Sequence, residues 1–127
     1  GINIYKEGSY SSKKINVWGI SDKSLFLEAN QVMAKQQKPF FSIIQTADNH
    51  RPFNIPEEDS DFVKKIIPIE ELNKYGFESL EEYHAFAYTD YCFQKFMEAA
   101  QKESYFNNTI FVFEFKEVAF VRVFGLS

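Results

Sequence analysis

The chain has 127 residues, a formal net charge of −4 and an apolar share of 45%, which bounds it to one core-bearing domain or a portion of one. Its acidic balance, with a pI near 5.2 and lysines scattered along the chain, excludes the clustered cations of a nucleic-acid surface. A single cysteine, Cys92, excludes an intrachain disulfide framework and a cysteine-built zinc cluster. No apolar run approaches the roughly 18–20 residues of a membrane span and no signal peptide opens the chain, so any anchor or secretion signal of a parent protein lies outside these residues.

The aromatic share of 18% is high for a chain of this size. Small folds leave much of their surface exposed, and so many large flat side chains are hard to enclose. The excess points to a portion of a larger protein, or to a surface packed against a partner.

In chain order, "GSYSSKK" (8–14) is a polar loop. Ser21 is placed to cap a helix through "DKSLFLEANQVMAKQQ", where Leu25, Phe26, Ala29, Val32 and Met33 recur at helical spacing. Asp22 in its first turn is accounted for by the helix dipole. Pro39 stops the helix, and "PFFSIIQT" (39–46) is a continuous apolar run, as expected of a strand covered on both faces in a parallel sheet. The polar segment "ADNHRPFNIPEEDSDF" follows at the carboxyl end of that strand, its path set by Pro52 and Pro56.

"KKIIPIEELNKYG" holds a short helix starting near Pro68 and ending at Gly76. "ESLEEYHAFAYTDYCFQKFMEAAQKE" is the clearest helix, with Ser79 and Glu82 at capping-box spacing and apolar positions around most of its circumference. "NNTIFVFEF" (107–115) and "VAFVRVF" (118–124) are two further strands. Helix, strand, loop, helix, strand is the order of an α/β layered sheet with right-handed crossovers, in which ligands gather at the carboxyl ends of the strands.

Chemistry concentrates after the 39–46 run. His50 and Arg51 offer donors for an anionic ligand, and Arg51 can grip an oxyanion in a bidentate way. The competing reading makes His50 a strand cap and pairs Arg51 with the acids of "EEDSD". Glu57, Glu58, Asp59 and Asp61 suggest a hard-cation site, but they lack the alternation and turn glycine of a calcium loop, so a solvated loop is the better account. His84 and Cys92 fall among helix aromatics, where packing and an inert thiol suffice. Trp18 with Gly19 reads as an anchor for the following helix, or else as an aromatic ligand wall. Glycine-rich phosphate loops, nucleophile elbows and metal-spaced His pairs are missing from the sequence.

The blocks "VWGISDKSLF", "KPFFSIIQTADNHRPFNIP" and "FAYTDYCFQKFMEAAQKESYFNNTIFVF" together resemble the alkaline phosphatase superfamily. They are most similar to its membrane-anchored sulfatases and lipoteichoic-acid-synthase-like phosphoglycerol transferases. The resemblance spans about residues 15–113, and it makes residues 1–127 a single fragment of a sulfatase-like catalytic domain with a divergent tail at 114–127. It implies a partial three-layer α/β sandwich with a mostly parallel sheet, and a parent enzyme on the extracytoplasmic face of the cell membrane. That parent hydrolyses or transfers sulfate or phosphate esters with a divalent metal (Mn, Mg or Ca). On this resemblance His50 faces the substrate's charged group, with Asn49 and Arg51 flanking it.

The sequence also departs from that family. The family's nucleophile and first acidic metal ligand lie upstream of the Trp-Gly block. Where the family continues into Gly-Asp-His-Gly, this chain reads "EFKEVAFVRVFGLS", which puts Lys116 and Glu117 at the Asp-His positions. The expectation is therefore a chain with no metal ligands and no cofactor of its own, inactive alone. A different class stays open beside it: a non-catalytic α/β module that binds a protein partner or forms a homodimer through exposed aromatic surface or a sheet edge.

Overall fold

The computed structural model describes residues 1–115 and 118–124, with side chains through Glu114. Helix α1 spans Asp22–Ala34. Ser21 sits in extended backbone and its Oγ accepts the Ser24 N–H at 3.2 Å, so the serine satisfies one of the unpaired donors of the first turn. The helix ends before the two glutamines expected to prolong it. Asp22, Phe26, Asn30 and Met33 are its buried residues, recurring every three or four positions as one face must.

Helix α2 is short, Ile69–Lys74, and Gly76 closes it at φ +86°. Gly76 N–H donates to Asn73 O and Phe77 N–H donates to Leu72 O, each at 3.2 Å. This double closure requires left-handed backbone, which glycine adopts without steric cost. Helix α3, Leu80–Ala100, starts on Ser79, whose Oγ accepts the Glu82 N–H at 3.1 Å. The Glu82 carboxylate reaches back one residue further than a capping box requires and accepts from Glu78 N–H at 2.7 Å. Its fully covered stripe is Ala85, Tyr88, Cys92, Phe96 and Ala100, while Phe86 on its flank is exposed.

The stripes of α1 and α3 face each other, and Phe26 stacks on Phe96 with ring centroids 5.1 Å apart. Phe111 closes one end of this core edge-on to Phe96 at 5.9 Å. Burying each of these Phe side chains contributes about 1.5–3 kcal/mol. Asn30 lies in the same layer, accepting from Tyr105 O–H and donating to Glu103 at 3.4 Å, which ties the end of α3 back to α1.

The sheet differs from the expected one. Strands β1 (Phe111–Phe115) and β2 (Val118–Phe124) form an antiparallel pair, in register at Phe111↔Phe124 and Phe113↔Arg122 with an irregularity after Glu114. Helices and a sheet keep the chain in the α/β class; among the described residues the sheet is this antiparallel pair, with no parallel pairing and no crossover. Among the described residues the run 39–46 forms no helix and has no ladder partner. Phe40 and Ile44 rest on the helical core, but Phe41 is 89% and Ile43 is 81% exposed. A strand covered on both faces needs neighbours on both sides, and here only the α1–α3 layer lies against it. Lys116 and Glu117, the positions expected to replace a family metal pair, lie outside the described residues.

Candidate functional site

The turn at 47–53 follows the 39–46 run directly. His50 N–H donates to Ala47 O at 3.1 Å and Phe53 N–H donates to His50 O at 2.9 Å, folding two successive tight turns. The Arg51–Pro52 peptide is cis, and Phe53 has φ +56°, a left-handed conformation uncommon for an aromatic residue. The result is a knob that places Asn49, His50 and Arg51 in solvent.

The knob is held from below by buried carboxylates. Asp22, 1% exposed, accepts from Ala47 N–H at 2.8 Å and from Asp48 N–H at 3.2 Å. Asp48, 2% exposed, returns the contact by accepting from Asp22 N–H at 2.6 Å. Each aspartate thus secures the other's backbone, clasping the first turn of α1 to the root of the knob. Asp22 therefore does more than complement the helix dipole; its carboxylate is the attachment point of the loop. Burial, followed by the neighbouring Asp22 charge, raises the Asp48 carboxyl to about 7. Burial also raises Asp22, against the backbone donors and the nearby His50 that favour its charge.

From above, Trp18 braces the knob. Its Nε1–H donates to Arg51 O at 2.8 Å, and its ring lies 5.1 Å from the His50 ring at a 31° tilt. The Trp18 ring thus packs on the histidine itself. Among the described residues no hydrogen bond reaches the His50 ring nitrogens, which leaves its donor and acceptor positions free. Arg51 pairs with Glu78 at 3.3 Å, not with the "EEDSD" acids, and both side chains are so exposed that the pair holds little energy. Its guanidinium lies 5.8 Å from the Phe53 ring.

The acidic run is not uniformly solvated. Glu57, Glu58 and Asp61 are exposed, but Asp59 is 7% exposed and accepts from both Lys23 Nζ and Tyr88 O–H. The expected solvated loop thus contains one internal anchor joining α1, α3 and the loop. His84 is buried with Nε2 2.7 Å from Lys65 O, beside a shallow groove of about 260 Å³ lined by Lys65, Tyr83 and Asp90. Burial pushes the Cys92 thiol well above its ordinary range, so it stays protonated and inert. Among the described residues no three His, Cys, Asp or Glu side chains converge to hold an ion, so these residues do not fit the divalent metal the resemblance implies.

Sequence reasoning singled out His50 and Arg51 but did not single out Asp48 or the anchoring roles of Asp22 and Asp59. One local signal was present for Asp48, a lone acid continuing an apolar run and so held at core depth.

The profile of the sulfatase family matches residues 2–114. A lipoteichoic acid synthase of Staphylococcus saprophyticus is 33% identical over 67 residues, covering 50% of this chain and 10% of that protein. The lipoteichoic acid synthase of Staphylococcus aureus is 30% identical over 92 residues, covering 65% of this chain and 14% of that protein. A crystal structure of an alkaline phosphatase superfamily protein from Vibrio parahaemolyticus superimposes with a TM-score of 0.63 at 32% identity, covering 84% of this chain and 24% of that one. The chain thus spans a quarter or less of these relatives.

Proposed function

Because the chain belongs to the sulfatase family, within the alkaline phosphatase superfamily, we propose that it is the substrate-facing portion of a sulfatase or phosphoglycerol transferase. In this reading His50 contacts the charged sulfate or phosphate group of an ester, and Asn49 and Arg51 flank that contact. The observation that carries it is the knob itself: an exposed imidazole with unengaged nitrogens, braced on one side by a buried carboxylate clasp and on the other by an indole. A braced donor aimed at developing negative charge needs little reorganisation during reaction, which is what makes such donors effective.

The metal centre and nucleophile are supplied by other parts of the family fold, and the complete enzyme works on the extracytoplasmic side of the membrane. Among the described residues no helix is long and apolar enough to cross a membrane. These 127 residues alone turn over no ester. Steady hydrolysis of a chromogenic sulfate or phosphate ester by the purified chain with Mn²⁺ overturns that statement. In a complete family enzyme carrying this segment, His50→Ala lowers turnover roughly a hundred-fold, the scale of losing one charge-stabilising donor. Unchanged kinetics make His50 a turn residue only.

A second reading is a partner-binding or self-associating module, favoured by the apolar side chains left in solvent, Phe41 and Ile43 foremost. Sedimentation tests this second reading alone: a monomer at micromolar concentration counts against the module.

A further inference from the structure

We propose that Trp18 and Asp22 are positioning residues for His50, fixing the imidazole in the orientation that meets a sulfate or phosphate oxyanion; this rests on the reading of His50 as the substrate contact. The geometry divides the task between them. Asp22 holds the entry to the knob through the Ala47 and Asp48 N–H groups. Trp18 holds its exit through the Arg51 carbonyl. Between these two fixed points lie only Asn49, His50 and the start of Arg51, too short a span to reorient independently. The indole ring then packs against the His50 ring at a 31° tilt, and among the described residues neither ring nitrogen has a hydrogen-bond partner, which leaves both to a ligand.

Each contact is more than ordinary packing requires. Trp18 is 54% exposed, so its ring adds little to the core, yet its sole polar atom is spent on the backbone of the residue after the histidine. Asp22 is a carboxylate buried at a helix start, where an uncharged capping residue would serve α1 equally well. Ser21 already provides that cap. What the carboxylate adds is a pair of acceptor oxygens for the loop. An imidazole held this way meets an oxyanion already oriented, whereas a free one samples rotamers and spends binding energy on ordering.

The test uses the purified 127-residue chain, with His50 ring protons followed by NMR and inorganic sulfate and inorganic phosphate as probes. In the wild type both anions shift the ring resonances, and the rings of Trp18 and His50 show mutual through-space contacts. Trp18→Leu removes the donor and the stacking surface, and Trp18→Phe removes the donor alone. Asp22→Asn keeps the shape but removes the charge and one of the two acceptor oxygens. The expected result is that Trp18→Leu and Asp22→Asn each weaken anion binding roughly ten-fold, a change of about 1.4 kcal/mol. Trp18→Phe falls between them and the wild type. Thermal stability of the Trp18 variants stays near the wild type, separating positioning from folding. Unaltered anion affinity and unaltered ring shifts in all three variants overturn the proposal. If no anion moves the wild-type ring, the substrate-contact reading fails and takes with it the functional part of this proposal, while variants that alter the ring shifts still establish the bracing.

Discussion

Asp59 sits among four acids that read alike in the sequence, yet it alone is enclosed, with Lys23 and Tyr88 as partners. Composition gives an acid in a loop no reason to be buried; the reason lies in α1 and α3, more than twenty-five residues away on either side. Removing one partner of a buried, charge-assisted set leaves the others unsatisfied, at about 1–3 kcal/mol for each polar group and more for a charge. Asp59→Ala is accordingly expected to destabilise the chain by roughly 3 kcal/mol in urea denaturation, while Glu57→Ala and Glu58→Ala stay within about 0.5 kcal/mol. Tyr88→Phe isolates one bond of the set and is expected to cost about 1–2 kcal/mol. Equal effects at positions 57, 58 and 59 would return the run to the solvated loop that the sequence suggests.

At the scale of elements, the three helices were legible because their signals are local. Ser21 and Ser79 both cap as their positions suggest, Gly76 ends α2, and the apolar period of α1 and α3 runs along contiguous residues. Ser79→Ala is expected to cost about 1 kcal/mol of stability, since it removes the acceptor of the Glu82 N–H. The run 39–46 was not legible as what it is. Its apolar content fits a buried strand, but strandhood is settled by pairing partners distant in sequence, and the described residues provide none. The clasp between α1 and the knob was hidden for the same reason: Asp22 and Asp48 are twenty-six residues apart, and only the fold makes them reciprocal. That clasp has a pH signature. Asp48 is raised to about 7, so between the ordinary carboxyl range and pH 7 the folded chain holds a proton that the unfolded chain has already released. Raising the pH through this window therefore weakens folding, with a slope of at most about 1.4 kcal/mol per pH unit. Asp48→Asn keeps the acceptor for Asp22 N–H without the charge; it is expected to flatten that slope and to be more stable than the wild type near pH 7. Denaturation midpoints at pH 5 and pH 7 for both proteins decide it, and a variant with an unchanged slope rejects the assignment.

At the scale of the whole molecule, the aromatic surplus resolves unevenly. Phe26, Phe96 and Phe111 make the core, and Phe40, Phe62 and Tyr105 seal it. Phe41, Ile43, Ile66 and Ile110, by contrast, remain in water. Scattered apolar side chains are ordinary on a surface, but Phe41 and Ile43 flank one exposed residue on a segment that has no ladder partner among the described residues, an arrangement prone to adding a strand from another chain. Burial of these side chains against any partner contributes about 1.5–3 kcal/mol each, whereas their replacement costs the isolated chain little, because they contact so little of it. The purified chain is therefore expected to bind a hydrophobic dye in its folded state and to sediment with a concentration-dependent mass. Phe41→Lys with Ile43→Lys is expected to suppress both while shifting the denaturation midpoint only slightly. Lysine suits this role because it keeps a stem over the remaining apolar surface and sets a charge on the open edge. If the double variant unfolds instead, the 39–46 segment is packed more deeply than its exposure indicates. If it folds and still associates, the association runs through another surface, with Ile66 and Ile110 the next positions to change.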